Sequence, residues 1–210
     1  MEAQTSNKKK IIDILKSNSK IVILVIFIFL VSIFTFSWIK YKDDITKTNL
    51  SEQYIKAKIL LSENKSNQAF DILKNIIEKE DSTYSALALY LIIDQNLEND
   101  NRKILNYFDK VLSSNNLKKE DLNLIRFKKG IFISNDGNEK ELLDLLNPII
   151  NSDSVWRSQA LKFIGDYYFS MKEYNKADQY YSILLTLENS NVDINEVKRK
   201  IKSYKKWENY

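Results

Sequence analysis

The sequence contains no cysteine and no histidine. Nucleophiles activated by histidine are therefore excluded, as are metal sites built from thiolate or imidazole ligands and all disulfide bonds. A lipidated N-terminal cysteine is excluded as a membrane anchor for the same reason. A lack of cysteine is compatible with both reducing and oxidising compartments, so it does not locate the protein.

Residues that break regular structure are also scarce. The 210 residues include one proline, Pro148, and three glycines, Gly130, Gly137 and Gly165. Sheet proteins need many tight turns, and glycine and proline supply most of the backbone conformations that such turns require. The composition therefore predicts an all-α protein.

An excess of positive charge is present only at the N-terminus. The net charge of the chain is +4. Residues 1–40 hold six lysines against Glu2 and Asp13, which accounts for the whole excess, so the remainder holds 26 basic and 26 acidic residues. A nucleic-acid-binding surface normally needs a strong basic excess. We therefore expect no nucleic-acid partner.

A long apolar run follows the basic tail. The segment IVILVIFIFLVSIFTFSWI, residues 21–39, contains no charged residue. As a helix it would be about 28 Å long, close to the thickness of the hydrocarbon core of a bilayer. Lys20 and Lys40 bracket it, and Trp38 and Tyr41 lie where interfacial aromatic side chains are common. The run predicts a transmembrane helix over residues 21–40 that contacts lipid through 21–39.

The polar members of this run are compatible with lipid, because serine and threonine hydroxyls can bond to carbonyls of their own helix. They are Ser32, Thr35 and Ser37. Two other interpretations stay open, a buried core helix and a signal peptide cleaved after Ser37. Small residues at 35 and 37 would suit such a cleavage site.

Lysine counts do not set the orientation of the segment. Five lysines precede it, and five follow it closely, namely Lys40, Lys42, Lys47, Lys56 and Lys58. A short basic tail before a single N-terminal anchor nevertheless favours a cytoplasmic N-terminus and an external C-terminal body.

From about Leu50 onward, apolar residues recur at steps of three and four, which is typical of amphipathic helices. Four segments resemble one another: NQAFDILKNII, RKILNYFDKVL, EKELLDLLNPII and NKADQYYSILL. Aligning them on Ala69, Ile104, Leu142 and Ala177 gives spacings of 35, 38 and 35 residues. A period near 34 with two helices per unit predicts a tetratricopeptide-type solenoid of about four helix pairs plus a C-terminal capping helix.

The predicted domain organisation has four parts. They are a basic tail over residues 1–20, the transmembrane helix over 21–40, a linker over 41–50 and the repeat domain over 51–210. Asp136-Gly137 predicts a turn, and two capping boxes, Asn138 with Glu141 and Asp193 with Glu196, predict helix starts.

The last repeat carries the clearest packing pattern, with small residues facing aromatic ones across a helix pair. The predicted packing residues are Ala57, Ala69, Ala88, Gly165, Tyr168, Tyr174, Ala177 and Tyr181. The third unit departs furthest from the pattern, with Lys128, Lys129 and Leu142 at its key positions. The C-terminal helix, NEVKRKIKSYKKWENY, places Val197, Ile201, Tyr204 and Trp207 on one face. It is interpreted either as a cap on the last repeat or as a basic contact with anionic lipid or a partner.

The whole arrangement resembles a bacterial family, the ancillary subunit of the Sec translocon (YfgM-like). The residues that carry the resemblance are TYSALALYLI at 83–92, SWIKYK at 37–42 and WRSQALKFIGD at 156–166. The resemblance implies an inner-membrane protein with a periplasmic tetratricopeptide-like domain. It also implies association with the translocon and with periplasmic chaperones that handle newly exported chains.

No catalytic constellation is apparent. Two acidic groups, one at Glu78, Glu80 and Asp81 and the other at Glu98 and Asp100, are interpreted as solvated helix ends. Neither GxxxxGK nor GxGxxG occurs. We therefore expect a protein that is not an enzyme and that has no cofactor, metal or small-molecule substrate.

The remaining expectation is protein binding in the groove of the repeats. The predicted groove residues are Ser85, Leu89, Ile92, Gln159, Lys162, Asp166, Phe169 and Ser170, although Leu89 and Ile92 also fit a core role. The leading hypothesis is a periplasmic scaffold at the export machinery. The alternatives are an adaptor for cytochrome maturation, division or outer-membrane assembly, an enzyme with unrecognised carboxylate chemistry, and a cytosolic adaptor of reversed topology.

Overall fold

The computed structural model describes residues 19–114, 117–136, 138–188 and 190–205, and this part of the chain contains nine α-helices and no β-strand. The all-α prediction is confirmed. The chain divides into two compact units, Met1–Glu52 and Gln53–Tyr210. Most of the predicted basic tail, Gly137 of the predicted turn and Trp207 of the C-terminal helix lie outside the described residues.

The helices follow one another with short connections. They are α1 (Ser19–Ser62), α2 (Ser66–Ile77), α3 (Tyr84–Asp94), α4 (Asn101–Leu112), α5 (Lys119–Ile133), α6 (Glu139–Ile150), α7 (Arg157–Ser170), α8 (Tyr174–Leu185) and α9 (Ile194–Lys205). A short 3₁₀ turn, Ser134–Asp136, follows α5.

Helix α1 is long and apolar enough to cross a membrane. Its described large apolar side chains between Ile21 and Ile39 are all at least 47% exposed, which disfavours the interpretation as a core helix. The Ser32 and Thr35 hydroxyls donate to carbonyl oxygens of their own helix at 2.9 and 2.8 Å, as predicted. Residues 41–50, predicted as a linker, continue α1 as helix, and the boundary between the two units falls after Glu52.

Helix ends in the second unit are made with little glycine. Residues with positive φ follow several helices, namely Asn64, Glu80, Asn96 and Lys172. Next to three of them a backbone N–H bonds back five residues: Lys65 to Leu60, Leu97 to Ile92 and Glu173 to Tyr168, at 2.8 to 2.9 Å. These bonds are typical of Schellman C-caps. The chain therefore makes tight helix–helix turns in spite of its glycine-poor composition.

Helix starts confirm both predicted caps. The Asn138 side-chain oxygen accepts from the Glu141 N–H at 3.1 Å, and Asp193 accepts from the Glu196 N–H at 3.2 Å. A third cap was not expected: Asp100 accepts from the Arg102 N–H at 2.9 Å and begins α4.

The predicted packing residues lie mostly in the core. Ala57, Ala69, Ala88, Gly165, Tyr168, Ala177 and Tyr181 are buried, whereas Tyr174 is half-buried and stacks on Tyr204 with ring centroids 5.0 Å apart. A Cβ atom added at Gly165 would lie 2.6 Å from Tyr181 Cδ1. Glycine is therefore needed at 165 because the Tyr181 ring fills the space that a side chain would occupy.

The small packing residue of the third unit is Gly130. The sequence pattern had placed Lys128 and Lys129 at the key positions of this unit instead. A Cβ atom at Gly130 would lie 3.2 Å from Leu146 and 3.3 Å from Leu142. Lys129 is only 9% exposed, and its ammonium reaches the Asp109 carboxylate at 2.8 Å. The Asp109 carboxylate therefore compensates the positive charge of Lys129 at this packing position.

Equivalent positions of successive helix pairs contact each other. Five side-chain hydrogen bonds join residues separated by 34 positions: Ser114 to the Glu80 carbonyl, Lys119 to Asp153, Ser154 to Glu120, Lys162 to Glu196 and Lys200 to Asp166. A constant offset means that each pair of helices lies against the next in nearly the same register. Helix α9 takes part in this pattern, with Val197 and Tyr204 buried and Ile201 partly buried.

Candidate functional site

The predicted groove residues of α7 are largely engaged by α9. Lys162 Nζ lies 2.7 Å from an Asp166 oxygen and 3.1 Å from a Glu196 oxygen. Lys200 Nζ lies 2.8 Å from both carboxylates and 5.8 Å from the centre of the Phe169 ring. Only Ser170 among the predicted residues of this helix is exposed, while Gln159 is half-buried. Intramolecular contacts therefore use most of the face that was expected to meet a partner.

Electrostatics hold this cluster in its charged form. Burial alone would raise the pKa of Asp166, but hydrogen bonds from Lys162, Lys200 and Tyr181 outweigh it and leave that pKa lowered. Hydrogen bonds from Lys200 and Lys162 likewise lower the pKa of Glu196. Asp166 and Glu196 are therefore ionised at neutral pH, and their ion pairs with Lys162 and Lys200 tie α7 to α9.

The predicted groove residues of α3 are in the core. Ser85, Leu89 and Ile92 are all fully buried, and the Ser85 hydroxyl donates to the Ile76 carbonyl of α2 at 3.0 Å. This placement corrects the assignment of Ser85 to a binding surface, and it confirms the core role that also fitted Leu89 and Ile92. The part of α3 that faces solvent is the opposite side, which carries Leu87 and Tyr90.

Two apolar depressions lie between α3 and α5. The first, of about 160 Å³, is lined by Ser82, Thr83, Ala86, Leu87, Tyr90, Asp121, Leu124 and Ile125. The second, of about 170 Å³, is lined by Tyr90, Ile93, Asp94, Phe108, Lys128, Ile131 and Phe132. Tyr90 borders both depressions, so they form one surface, which we call the α3–α5 cleft.

The Tyr90 side chain lies between the two depressions of this cleft. Burial, and to a lesser degree the Asp121 carboxylate, raises the pKa of Tyr90 to about 12. Among the described residues its buried hydroxyl has no hydrogen-bond partner, and the Lys128 ammonium lies 5.7 Å from its ring centre. The phenol is therefore neutral at physiological pH and retains an unused donor and acceptor.

The floor of the α3–α5 cleft is apolar and its charges lie at the edges. Leu87 is 38% exposed and Ile131 is 40% exposed, although both lie on helices with buried cores. The cleft is also lined by three charged residues, Asp94, Asp121 and Lys128. Within the described residues, none of the three makes a salt bridge. Neighbouring exposed apolar side chains rimmed by charge are typical of protein-binding surfaces.

Two further depressions are more polar. One, of about 360 Å³, lies beside Asp166, Tyr167 and Ser170. The other, of about 620 Å³, lies between the loops that precede α7 and α9 and is lined by Asp153, Arg157 and Glu188 among others. The first is lined by one carboxylate and several neutral polar groups, and the second by charges of both signs, which favours ordinary hydrated surface over a specific site.

The carboxylates considered for catalysis serve as caps and ion-pair partners. Asp81 accepts from the Thr83 and Tyr84 N–H groups, and Glu98 accepts from the Asp100 N–H. Backbone hydrogen bonds lower the pKa of Glu98 and of Asp100, whereas a general acid needs a raised pKa. In the described part of the chain, no group of three or more acidic side chains is arranged to hold a metal ion.

The cleft lies outside the repeat positions from which the groove residues were predicted. One signal was present: α3 reads YSALALYLIID, which is apolar around its whole circumference. A helix with no polar face cannot bury all of its sides against a two-layer stack, so an exposed apolar side was to be expected.

Comparison with models of known protein families gives no match, and comparison with curated proteins gives no significant match. The functional argument therefore depends on the geometry of this chain and on the resemblance described from its sequence.

Proposed function

We propose that this protein is a membrane-anchored, tetratricopeptide-type scaffold whose C-terminal unit binds other proteins. The observation that carries the proposal is the α3–α5 cleft, where Leu87 and Ile131 are exposed beside an apolar floor. Burial of apolar surface is the main driving force of protein association, so a cleft of this kind favours binding. The charged edges would orient the partner.

Two observations support the tetratricopeptide part of the proposal. Contacts recur at an offset of 34 residues, which equals the length of that repeat. The Gly165–Tyr181 contact also matches the packing of a small residue against an aromatic one across a helix pair.

The partners and the location follow from the resemblance to the ancillary translocon subunit. On that basis the anchor lies in a bacterial inner membrane, with the N-terminus in the cytoplasm and the C-terminal unit in the periplasm. The partners would be translocon subunits, periplasmic chaperones or newly exported chains. The function is assistance to exported proteins by binding, without a reaction and without a cofactor.

Crosslinking in intact native membranes, followed by affinity purification of the full chain, tests this proposal. Recovery of translocon subunits or periplasmic chaperones is the expected result. Recovery of division, cytochrome-maturation or outer-membrane assembly proteins would instead support an adaptor for one of those processes. Recovery of cytoplasmic proteins alone would contradict both.

Protease treatment of spheroplasts tests the orientation. Residues 42–210 should be digested from outside in the proposed topology, while an N-terminal epitope tag stays protected. Protection of residues 42–210 would reverse the topology and make the protein a cytosolic adaptor.

A further inference from the structure

The two halves of the α3–α5 cleft are spaced by two helical turns. On α3 the first depression is centred near Ala86 and the second near Ile93; on α5 they are centred near Leu124 and Ile131. Each helix therefore separates the two depressions by seven residues. At 1.5 Å per residue this is about 10.5 Å, and the agreement between α3 and α5 shows that they run parallel along the cleft.

Each depression fits one large side chain. Their volumes are about 160 and 170 Å³. A cavity of about 150 Å³ lined by aliphatic and aromatic residues is large enough to hold benzene. The surface therefore suits two side chains of the size of leucine or phenylalanine, about 10.5 Å apart. Between them Tyr90 leaves room for only a small side chain.

The polarity of the cleft selects the backbone conformation of its occupant. An extended segment carries N–H and C=O groups that must find partners when they are buried. The cleft offers few such partners, since its floor consists mainly of Ala86, Leu87, Leu124 and Ile131. A helix satisfies its own backbone groups, and residues seven positions apart on a helix lie on one face at a spacing of about 10.5 Å.

Helix α9 provides an example of this mode within the same molecule. It buries Val197 and Tyr204, which are seven residues apart, while Lys200 between them pairs with Asp166 on α7. In the α3–α5 cleft, Asp94 and Asp121 supply carboxylates near the two ends, against the one ammonium of Lys128. Charge complementarity therefore favours a helix with basic side chains beside its apolar stripe.

We infer that the α3–α5 cleft receives one basic amphipathic helix of a partner protein. Its large apolar side chains are seven residues apart and enter the two depressions, and a small residue midway lies over Tyr90. Lysine or arginine side chains face Asp94 and Asp121. This inference rests on the proposed function as a protein-binding scaffold and specifies the segment that the scaffold recognises.

Binding of synthetic peptides to the full chain in phosphatidylcholine nanodiscs tests the inference, with empty nanodiscs as the blank. The probe peptide carries two leucines seven positions apart, alanine between them on that face and lysine elsewhere. One control peptide moves a leucine to the opposite face, and a second places proline at the centre to prevent a helix. We expect the probe to bind at least about tenfold more tightly than either control, since burying one leucine supplies that factor.

Protein variants locate the binding. Leu87→Asn removes part of the apolar floor of the first depression and Ile131→Asn part of that of the second, without adding a charge, so each should weaken the probe at least about tenfold. Ile183→Asn is the matched control, because Ile183 on α8 is 40% exposed, like Ile131, and lies outside the cleft. Equal binding of the proline peptide, or equal losses in all three variants, would overturn the inference.

The experiments distinguish failure of the helix inference from failure of the scaffold proposal. If membrane crosslinking recovers export proteins but the probe peptide binds no better than its controls, the scaffold proposal stands and the helix inference fails. If the peptide binds as expected and no envelope protein is recovered, the inference stands and the cellular role fails.

Discussion

At the scale of residues, the contact between Gly165 and Tyr181 is closer than the contact of Gly130 with Leu142 and Leu146. Tyr181 is fully buried, and its hydroxyl donates to Asp166 at 2.5 Å. The ring is therefore fixed at both ends and cannot move aside for a neighbour. This single contact joins the helix pair α7–α8 to the ion-pair cluster that holds α9.

Gly165→Ala should destabilise the protein by about 1–3 kcal/mol, because the new methyl group would overlap the Tyr181 ring. The better helix propensity of alanine, worth about 1 kcal/mol, offsets only part of this cost. Urea unfolding of the full chain in detergent measures the change. Gly130→Ala is the control: it meets only the movable ends of Leu142 and Leu146, and its free energy of unfolding should stay within about 1 kcal/mol of the unsubstituted protein. An equal loss at both glycines would contradict this packing account.

Asp166 should make stability depend on pH. Because its pKa is lowered in the folded protein, its contribution is complete above its unfolded pKa near 4 and is lost as the pH falls through the folded pKa. The difference in free energy of unfolding between the protein and Asp166→Asn should therefore be constant from about pH 7 to 5 and shrink below about pH 4. A difference that grows on acidification would refute the ionised cluster.

At the scale of elements, α9 is held by buried apolar side chains together with half-buried ion pairs. Its side of the interface buries Val197 and Tyr204, and Lys200 contacts Asp166, Glu196 and the Phe169 ring. Half-buried ion pairs supply modest stability and leave such a helix near the low end of local stability. The capping interpretation therefore describes α9 better than a contact with lipid does.

Lys200→Gln should loosen α9 specifically. Loss of its ion pairs is expected to speed hydrogen exchange of amides in residues 194–205 about fivefold, the effect of roughly 1 kcal/mol, without changing exchange in α3. Lys202→Gln provides the control, since Lys202 is exposed and makes no ion pair among the described residues. Equal exchange in the two variants would show that the cluster does not hold α9.

Helix α1 should tolerate an arginine at its edge but not at its centre. Leu30→Arg places a charge midway along residues 21–39, where insertion costs about 2.5–3.5 kcal/mol, whereas Tyr41→Arg lies at the interface and costs much less. The fraction of protein that resists carbonate extraction from membranes should fall only for the first variant. No difference between the two would contradict a membrane-spanning α1.

At the scale of the whole molecule, composition and periodicity predicted the helical fold and the apolar N-terminal helix. Scarce glycine and proline, an uncharged run of nineteen residues and four similar helical segments are local properties that sequence reveals. Gly165 and Tyr181 were both predicted as packing residues, because they fit the tetratricopeptide pattern in the last unit.

The sequence of α3 predicts an exposed apolar side but not its position, because that depends on which side of the helix faces the core. In α3, Leu89 and Ile92 are buried while Leu87 and Tyr90 face the cleft, and no polar side chains distinguish the two sides. Likewise, the docking of α9 over Lys162 and Asp166 depends on contacts at an offset of 34 residues. Orientation of this kind is decided by neighbouring helices and not by the segment itself.

The α3–α5 cleft is the proposed binding site for a partner protein. Site-specific photocrosslinking in intact membranes tests that claim most directly, with a photoreactive amino acid placed at Leu87, Ile131 or Ile183 in turn. We predict crosslinked products with the same envelope protein from Leu87 and Ile131 and none of these from Ile183. The same products from all three positions, or products from Ile183 alone, would contradict the account.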